Sequence, residues 1–249
     1  MEPARELRVM RAFVGLADTL VDDYDVVDLL HRLVDHSLDL LATDAAGIVL
    51  ADASRSLRVG AASSADAELM ELLQVQSGQG PCLECFRTVA PVSVPDLGAA
   101  RERWPLFHAA ARGRAAFRSV HALPLRLRGQ AIGALNLFHK GSGPLPEADL
   151  ALGQALADVA TIGILQERAI RRGEAVNEQL QTALNSRIVI EQAKGVLAQR
   201  SGLDMNGAFE RLRGYSRGHG LRLSDVARRV VEGALDPDQV LVVADRRRR

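Results

Sequence analysis

The sequence predicts an α+β protein: an antiparallel sheet with flanking helices, then a long connecting helix, then a module of three helices. Three observations carry that expectation. The stretch "SVHALPLRLRGQAIGALNLF" (119–138) holds two apolar runs on either side of Arg128-Gly129, as a tight hairpin requires. Glu147 to Gln199 contains no proline and repeats apolar residues at helical spacing. After Gly202 come two short amphipathic segments, the first stopped by Gly218 and Gly220.

The elements follow in order. Leu7, Met10 and Val14, then Val26, Leu29, Leu30, Leu33 and Val34, recur at helical spacing, and "DDYD" (22–25) breaks them into two helices. "AAGIVLAD" (45–52) and "LRVGAAS" (57–63) read as a strand pair. Residues 66–76 return to helix, and "SGQGPCLECF" (77–86) reads as a loop. "APVSVPDL" (90–97) is a short extended segment between prolines. Pro124 places its strand at an edge or beside a bulge. The helix from Glu147 onward carries Leu152, Leu156, Val159, Ile162 and Leu165, then Val176, Leu180, Leu184 and Ile188. A helix this long suggests pairing with a second copy of itself as a coiled coil, with the heptad weakened around 167–178. Asp204 is placed to cap the first short helix, with Ala208, Phe209 and Leu212 inward. The second short helix has an apolar face from Leu223 to Ala234. The chain closes on "DRRRR" (245–249).

Composition narrows the function. With 249 residues, 47% of them hydrophobic and 4% aromatic, the chain can bury an aliphatic core. The formal net charge is zero, yet residues 185–249 hold 13 of the 31 Lys/Arg and only 8 of the 31 Asp/Glu. An acidic front and a basic back point to a polyanion-binding end. No run approaches 18 consecutive apolar residues and no signal peptide is visible, so a soluble, cytoplasmic protein with no membrane span is expected. Two cysteines argue against a secreted disulfide scaffold. The six histidines lack metal-ligand or triad spacing, so no metal site and no catalytic residue is expected. His121, on a strand, is expected to be half-buried.

Two short features carry chemistry. Cys82 and Cys85 form a C-x-x-C pair, which acts in thiol–disulfide chemistry when it opens a helix. The same stretch, "QGPCLEC", is alternatively one wall of a ligand pocket, or the cysteines are simply small apolar packing residues. The second feature is Lys194-Gly195 inside the long helix. Glycine there costs about 1 kcal/mol relative to alanine, so a close approach by another helix is expected at Gly195.

The pieces resemble two families. "LADTLVDDYDVVDLLHRL" (16–33), "SGQGPC" (77–82), "RWPLFHAAA" (103–111) and "RSVHALPLRLRGQAIGALNLF" (118–138) resemble a GAF domain of the actinobacterial regulatory kind. "NSRIVIEQAKGVLAQRSGLDMNGAFERLRGYSRGHGLRLSDVARRVV" (185–231) resembles an ANTAR domain, an RNA-binding antiterminator module. The resemblance implies a GAF-like sensory domain over 1–150, a connecting coiled-coil helix over 151–184, an ANTAR domain over 185–235 and a basic tail over 236–249. It further implies a homodimer, not an enzyme, that holds two-hairpin leader RNA and prevents a terminator from forming. No cofactor is implied, and an unidentified small molecule is left open as the GAF ligand. Phosphate partners are then sought among Arg187, Lys194, Arg222, Arg228 and Arg229. Base readers are sought among Gln192, Gln199, Tyr215 and Arg217. "GHGLRL" (218–223) departs from the family pattern, with glycines where an Asn is common. The competing reading is a GAF-based redox or ligand sensor that acts through protein partners or DNA.

Overall fold

A computed structural model of the chain describes residues 3–18, 25–114 and 116–242. Most of the "DDYD" break and the closing "DRRRR" lie outside these residues. The chain divides into two compact units, Met1–Ile170 and Arg171–Arg249.

The first unit is built on a five-stranded antiparallel sheet of order β2-β1-β5-β4-β3. Its strands are β1 (Ala45–Ala51), β2 (Leu57–Ala62), β3 (Val92–Val94), β4 (Ser119–Leu127) and β5 (Gln130–His139). The predicted hairpin is present: Leu127 pairs with Gln130, and Arg128 (φ 49°) and Gly129 (φ 80°) turn between them. Two consecutive left-handed residues give the turn the twist that antiparallel strands need, and glycine adopts that conformation freely. Pro124 sits where a missing N–H does no harm. β3 pairs with β4 only from Val120 to Ala122, so at Pro124 that side has no strand, and a register shift follows at Leu125/Arg126.

Side chains alternate across the sheet and fill two cores. On one face Val49, Ala134 and Phe138 pack with Met70 and Leu73 of α3 (Ala65–Ser77), Cys82, Cys85 and Phe86 of α4 (Pro81–Thr88), and Phe107 of α5 (Pro105–Ala111). On the other, Ile48, Leu123, Leu125, Leu135 and Leu137 meet α1 (Pro3–Asp18), α2 (Val26–Leu40) and the start of α6 (Glu147–Ser201). Asp25 caps α2 by accepting from the Val27 N–H.

The start of α6 matters to the domain limits. Leu156, Ala157, Ala160 and Ile164 are fully buried in this second core. The first unit therefore runs past the expected limit at 150, to Ile170. Expected to lack any membrane-length segment, the chain has in α6 one 18-residue window apolar enough by length and composition to cross a membrane. Of that window 44% is buried.

Two expectations in this unit need correction. The stretch 81–86 is not loop: only 78–80 turns, and α4 starts at Pro81, whose fixed φ suits the first helical position. His121 is fully buried rather than half-buried. Neither of its ring nitrogens makes a hydrogen bond of normal geometry; the Gly143 backbone is near enough only to favour the proton slightly. Burial first, then the neighbouring His139, lowers its pKa to about 4.

A buried polar cluster interrupts the first core. Glu71 is fully buried, and burial raises its pKa to about 8. Asn136 Nδ2 donates to both of its oxygens, at 2.7 and 2.9 Å, and Gln74 Nε2 donates at 3.3 Å. Gln74 Oε1 in turn accepts from the Cys82 N–H at 2.9 Å. Gly47 on β1 leaves the room for this carboxyl, because a Cβ there would collide with it.

The second unit comprises the rest of α6, then α7 (Met205–Gly218), α8 (Leu223–Val231) and α9 (Pro237–Val242). Asp204 caps α7 by accepting from the Gly207 N–H at 2.7 Å, as expected. Ala193, Leu197, Ala208, Leu212, Val226, Ala227 and Val240 form its fully buried core. Phe209 is only partly buried, and Val231 and Ala234 at the end of the α8 face are exposed. Residues 237–242, expected as part of a tail, instead form α9, which buries Val240 and ties Asp238 to Arg200.

Candidate functional site

The second unit sorts its cations into two groups. Several are neutralised within the fold. Lys194 Nζ pairs with both carboxylate oxygens of Glu191, at 2.8 and 2.9 Å, and lies 5.8 Å from the centroid of the Phe209 ring. Its side chain is only 14% exposed. Arg200 forms a two-pronged bond to Asp238, Arg213 faces Glu210, and Arg211 donates to the Leu241 carbonyl. The second group is Arg187, Arg217, Arg222, Arg228 and Arg229. All five are exposed, and among the described residues none of their side chains has a hydrogen bond or ion pair. An unpaired surface guanidinium keeps its full donor fork for an incoming phosphate or base.

Helical geometry places these groups. At 100° per residue, Gln192 and Gln199 share one flank of α6, and Arg187 and Lys194 share the opposite flank. Gln192 meets Arg228 of α8 across a groove of about 370 Å³. Asn185, Ile188, Val189, Val231 and Glu232 complete its walls. Apolar floor and amide or guanidinium rim together suit a flat, polar-edged group such as an unstacked base. Arg222 precedes α8 as its N-cap residue, and Arg229 stands in the last turn of α8.

Tyr215, sought as a base reader, belongs to the core instead: it is 9% exposed. His219 stacks on its ring with centroids 4.0 Å apart, and the His219 ring nitrogen lies 2.9 Å from the Tyr215 carbonyl oxygen. The planar group offered to solvent here is therefore His219, which the sequence reading passed over. The signal was available, because residues four apart on a helix are neighbours.

Gly195 does not do what was expected of it within the chain. A Cβ added there would meet nothing within 4 Å. It lies on the exposed side of α6, eleven residues beyond Leu184 and seven beyond Ile188, on the same face. Val176, Leu180, Leu184 and Ile188 are 50%, 64%, 54% and 47% exposed. Among the described residues, Val176, Leu180 and Leu184 belong to no apolar cluster of the second unit, whereas Ile188 also lines the Gln192–Arg228 groove.

The first unit contains a cavity of about 400 Å³ between α5, the segment after β3 and the entry to β4. Trp104, Phe107 and Phe117 line it, with Asp96, His108, Arg112 and Arg118 as its charged or titratable groups. Neither Cys82 nor Cys85 does, so "QGPCLEC" is not a wall of this cavity. Both thiols are free and buried. They do open a helix, but burial pushes Cys82 well above the ordinary thiol range and Cys85 up to about 12. Thiolate, the reactive species, is thereby disfavoured at both.

With this geometry in hand, comparison with known proteins decides the family. The GAF domain model matches residues 23–165, more than half of the chain. The ANTAR domain model matches residues 178–231. The chain belongs to the GAF domain family and carries an ANTAR domain. The GAF fold is shared with solved structures at low identity. One is the GAF domain of an Acinetobacter phosphoenolpyruvate-protein phosphotransferase, with a TM-score of 0.53 and 14% identity, covering 68% of this chain and 98% of that one. Its counterpart from Coxiella burnetii gives 0.52 and 15%, covering 67% and 98%. No curated protein sequence matches the chain. GAF is a sensor domain and ANTAR an RNA-binding antiterminator module, so both halves are regulatory. The five unpaired arginines all lie on the ANTAR side, and four of them fall within the matched span at or after Arg217.

Proposed function

We propose that the protein is a signal-responsive transcription antiterminator, a homodimer whose two ANTAR domains hold the two hairpins of a leader RNA. The observation that carries this reading is the division of cations in the ANTAR domain. Its acids neutralise Lys194, Arg200 and Arg213, yet leave Arg187, Arg217, Arg222, Arg228 and Arg229 unpaired. Holding RNA is binding, not catalysis. It needs guanidinium groups for phosphates and a groove for unstacked loop bases. The Gln192–Arg228 groove supports the second role, with Gln199 on the same flank of α6. Lys194 fits a different role, as a strut that joins α6 to Phe209 of α7. The exposed stripe from Val176 to Leu184, with Gly195 eleven residues on along the same face, supports pairing of α6 with a second copy, where the glycine admits the partner backbone.

The test is the salt dependence of RNA binding. Replacing Arg222, Arg228 and Arg229 together by Ala is expected to weaken binding and to lower the slope of log K against log salt by about two, since each phosphate neutralised contributes about 0.7 for single strands. All three are exposed, so folding stability is expected to stay within about 0.5 kcal/mol per site. An unchanged slope with weakened binding moves these arginines off the phosphates, and unchanged binding removes them from the interface.

A further inference from the structure

We propose that the GAF cavity binds a small aromatic monoanion, such as an arylalkyl carboxylate, as the signal that the sensory domain reads. The proposal rests on the sensory role given above and names the ligand class for it. The cavity is of about 400 Å³, within the range of small-molecule sites. Three aromatic side chains give it its apolar body. Trp104, Phe107 and Phe117 are 6%, 3% and 5% exposed, and Phe117 stacks on Phe138 at 5.1 Å, which fixes its ring. Rings held this way favour a flat aromatic guest by stacking and edge contacts.

The polar groups set the charge. Arg112 and Arg118 are exposed at the cavity and, among the described residues, their side chains have no ion pair. Each keeps a fork of donors matched to a carboxylate. Asp96 also lines the cavity, and one of its oxygens already accepts from the Gly98 N–H at 2.8 Å. Two cations against one anion leave a balance of one positive charge on the wall. That suits a single carboxylate. A ligand with several phosphates would set surplus negative charge against Asp96.

The chain has one tryptophan, so Trp104 reports the cavity by itself. The full-length protein is titrated with 3-phenylpropionate, with the neutral 3-phenylpropionamide and with AMP, and Trp104 emission is read on excitation at a wavelength where only indole absorbs. The expected result is a saturable change with 3-phenylpropionate, and binding of the amide about tenfold weaker or more, the worth of a charge-assisted hydrogen bond. Arg112→Ala and Arg118→Ala, both at exposed positions, are expected to weaken the acid by about that factor and to leave the amide unchanged. Saturable binding of AMP in preference to the acid overturns the ligand class. Equal binding of acid and amide overturns the role of the arginines, and no saturable change with any of the three overturns the site. RNA binding by the same protein, measured separately, shows whether the wider antiterminator reading has failed as well.

Discussion

Replacing Leu180 and Leu184 together by Glu is expected to convert the protein from a dimer to a monomer. Both side chains are more than half exposed in the single chain, so their removal leaves each folded unit intact. Glutamate is also a good helix former, so α6 is expected to keep its helicity. In a paired helix the same positions lie in the seam, where an unpaired carboxylate costs several kcal/mol. The dissociation constant is therefore expected to rise more than about 100-fold. Light scattering is expected to give about twice the 26.9 kDa chain mass for the parent and the single-chain mass for the variant. RNA binding is expected to follow. A monomer presents one ANTAR domain, so two-hairpin RNA loses its advantage while a single hairpin binds as before. A variant that stays dimeric, or a parent that is strictly monomeric with and without RNA, contradicts the pairing through α6.

The second large effect is on stability against pH. Glu71 has its pKa raised by burial from the ordinary 4.5 to about 8, only partly offset by the Asn136 hydrogen bonds. The native state therefore holds a proton that the unfolded chain releases between those values. Stability falls as pH rises from about 4.5 to about 8 and is level above that. His121 works in the opposite sense. Its pKa is lowered from 6.5 to about 4, so the unfolded chain takes up a proton first, and stability is lost as pH falls through that window. The two offset each other between about 4.5 and 6.5. From about 6.5 to 8 Glu71 acts alone, and roughly 2 kcal/mol is expected to be lost. Glu71→Gln is expected to abolish this decline. The unpartnered Asn136 Oδ1, brought round by a flip of the amide, then accepts from the new Gln N–H. Urea unfolding at pH 6.5 and pH 8 measures it. A parent that is equally stable at both, or a variant that declines as steeply, contradicts the buried-acid account.

How far these features were legible in the sequence depends on the range of the interactions behind them. The hairpin at Arg128-Gly129, the Asp204 cap and the continuous helix from Glu147 all rest on neighbours within a few residues, and all three are present. The resemblance to GAF and ANTAR domains rested on motifs spread along the chain, and the matched families agree with it. Features set by distant residues were not legible. Whether Cys82 faces a pocket or a core depends on Glu71, Gln74 and β5. Whether Lys194 is free depends on Phe209, fifteen residues away on another helix. In the sequence, Pro81 within "SGQGPCLECF" fits loop punctuation as well as the first position of α4, because proline serves both roles and only the burial of Cys82, Cys85 and Phe86 decides between them. In the sequence Glu71 looks like surface, because it is one of three acids in α3, with Asp66 and Glu68. Its burial follows from Gly47 and Asn136 on strands some distance along the chain.

The central claim is that this GAF and ANTAR chain recognises paired RNA hairpins. Filter binding of the purified full-length protein to two-hairpin RNA, single-hairpin RNA and duplex DNA of equal length tests it most directly, at one stated salt concentration. The expected result is tightest binding to the two-hairpin RNA, weaker binding to one hairpin, and only weak, steeply salt-dependent binding to duplex DNA. Equal affinity for the one-hairpin and two-hairpin RNAs, or preference for the DNA, would contradict it.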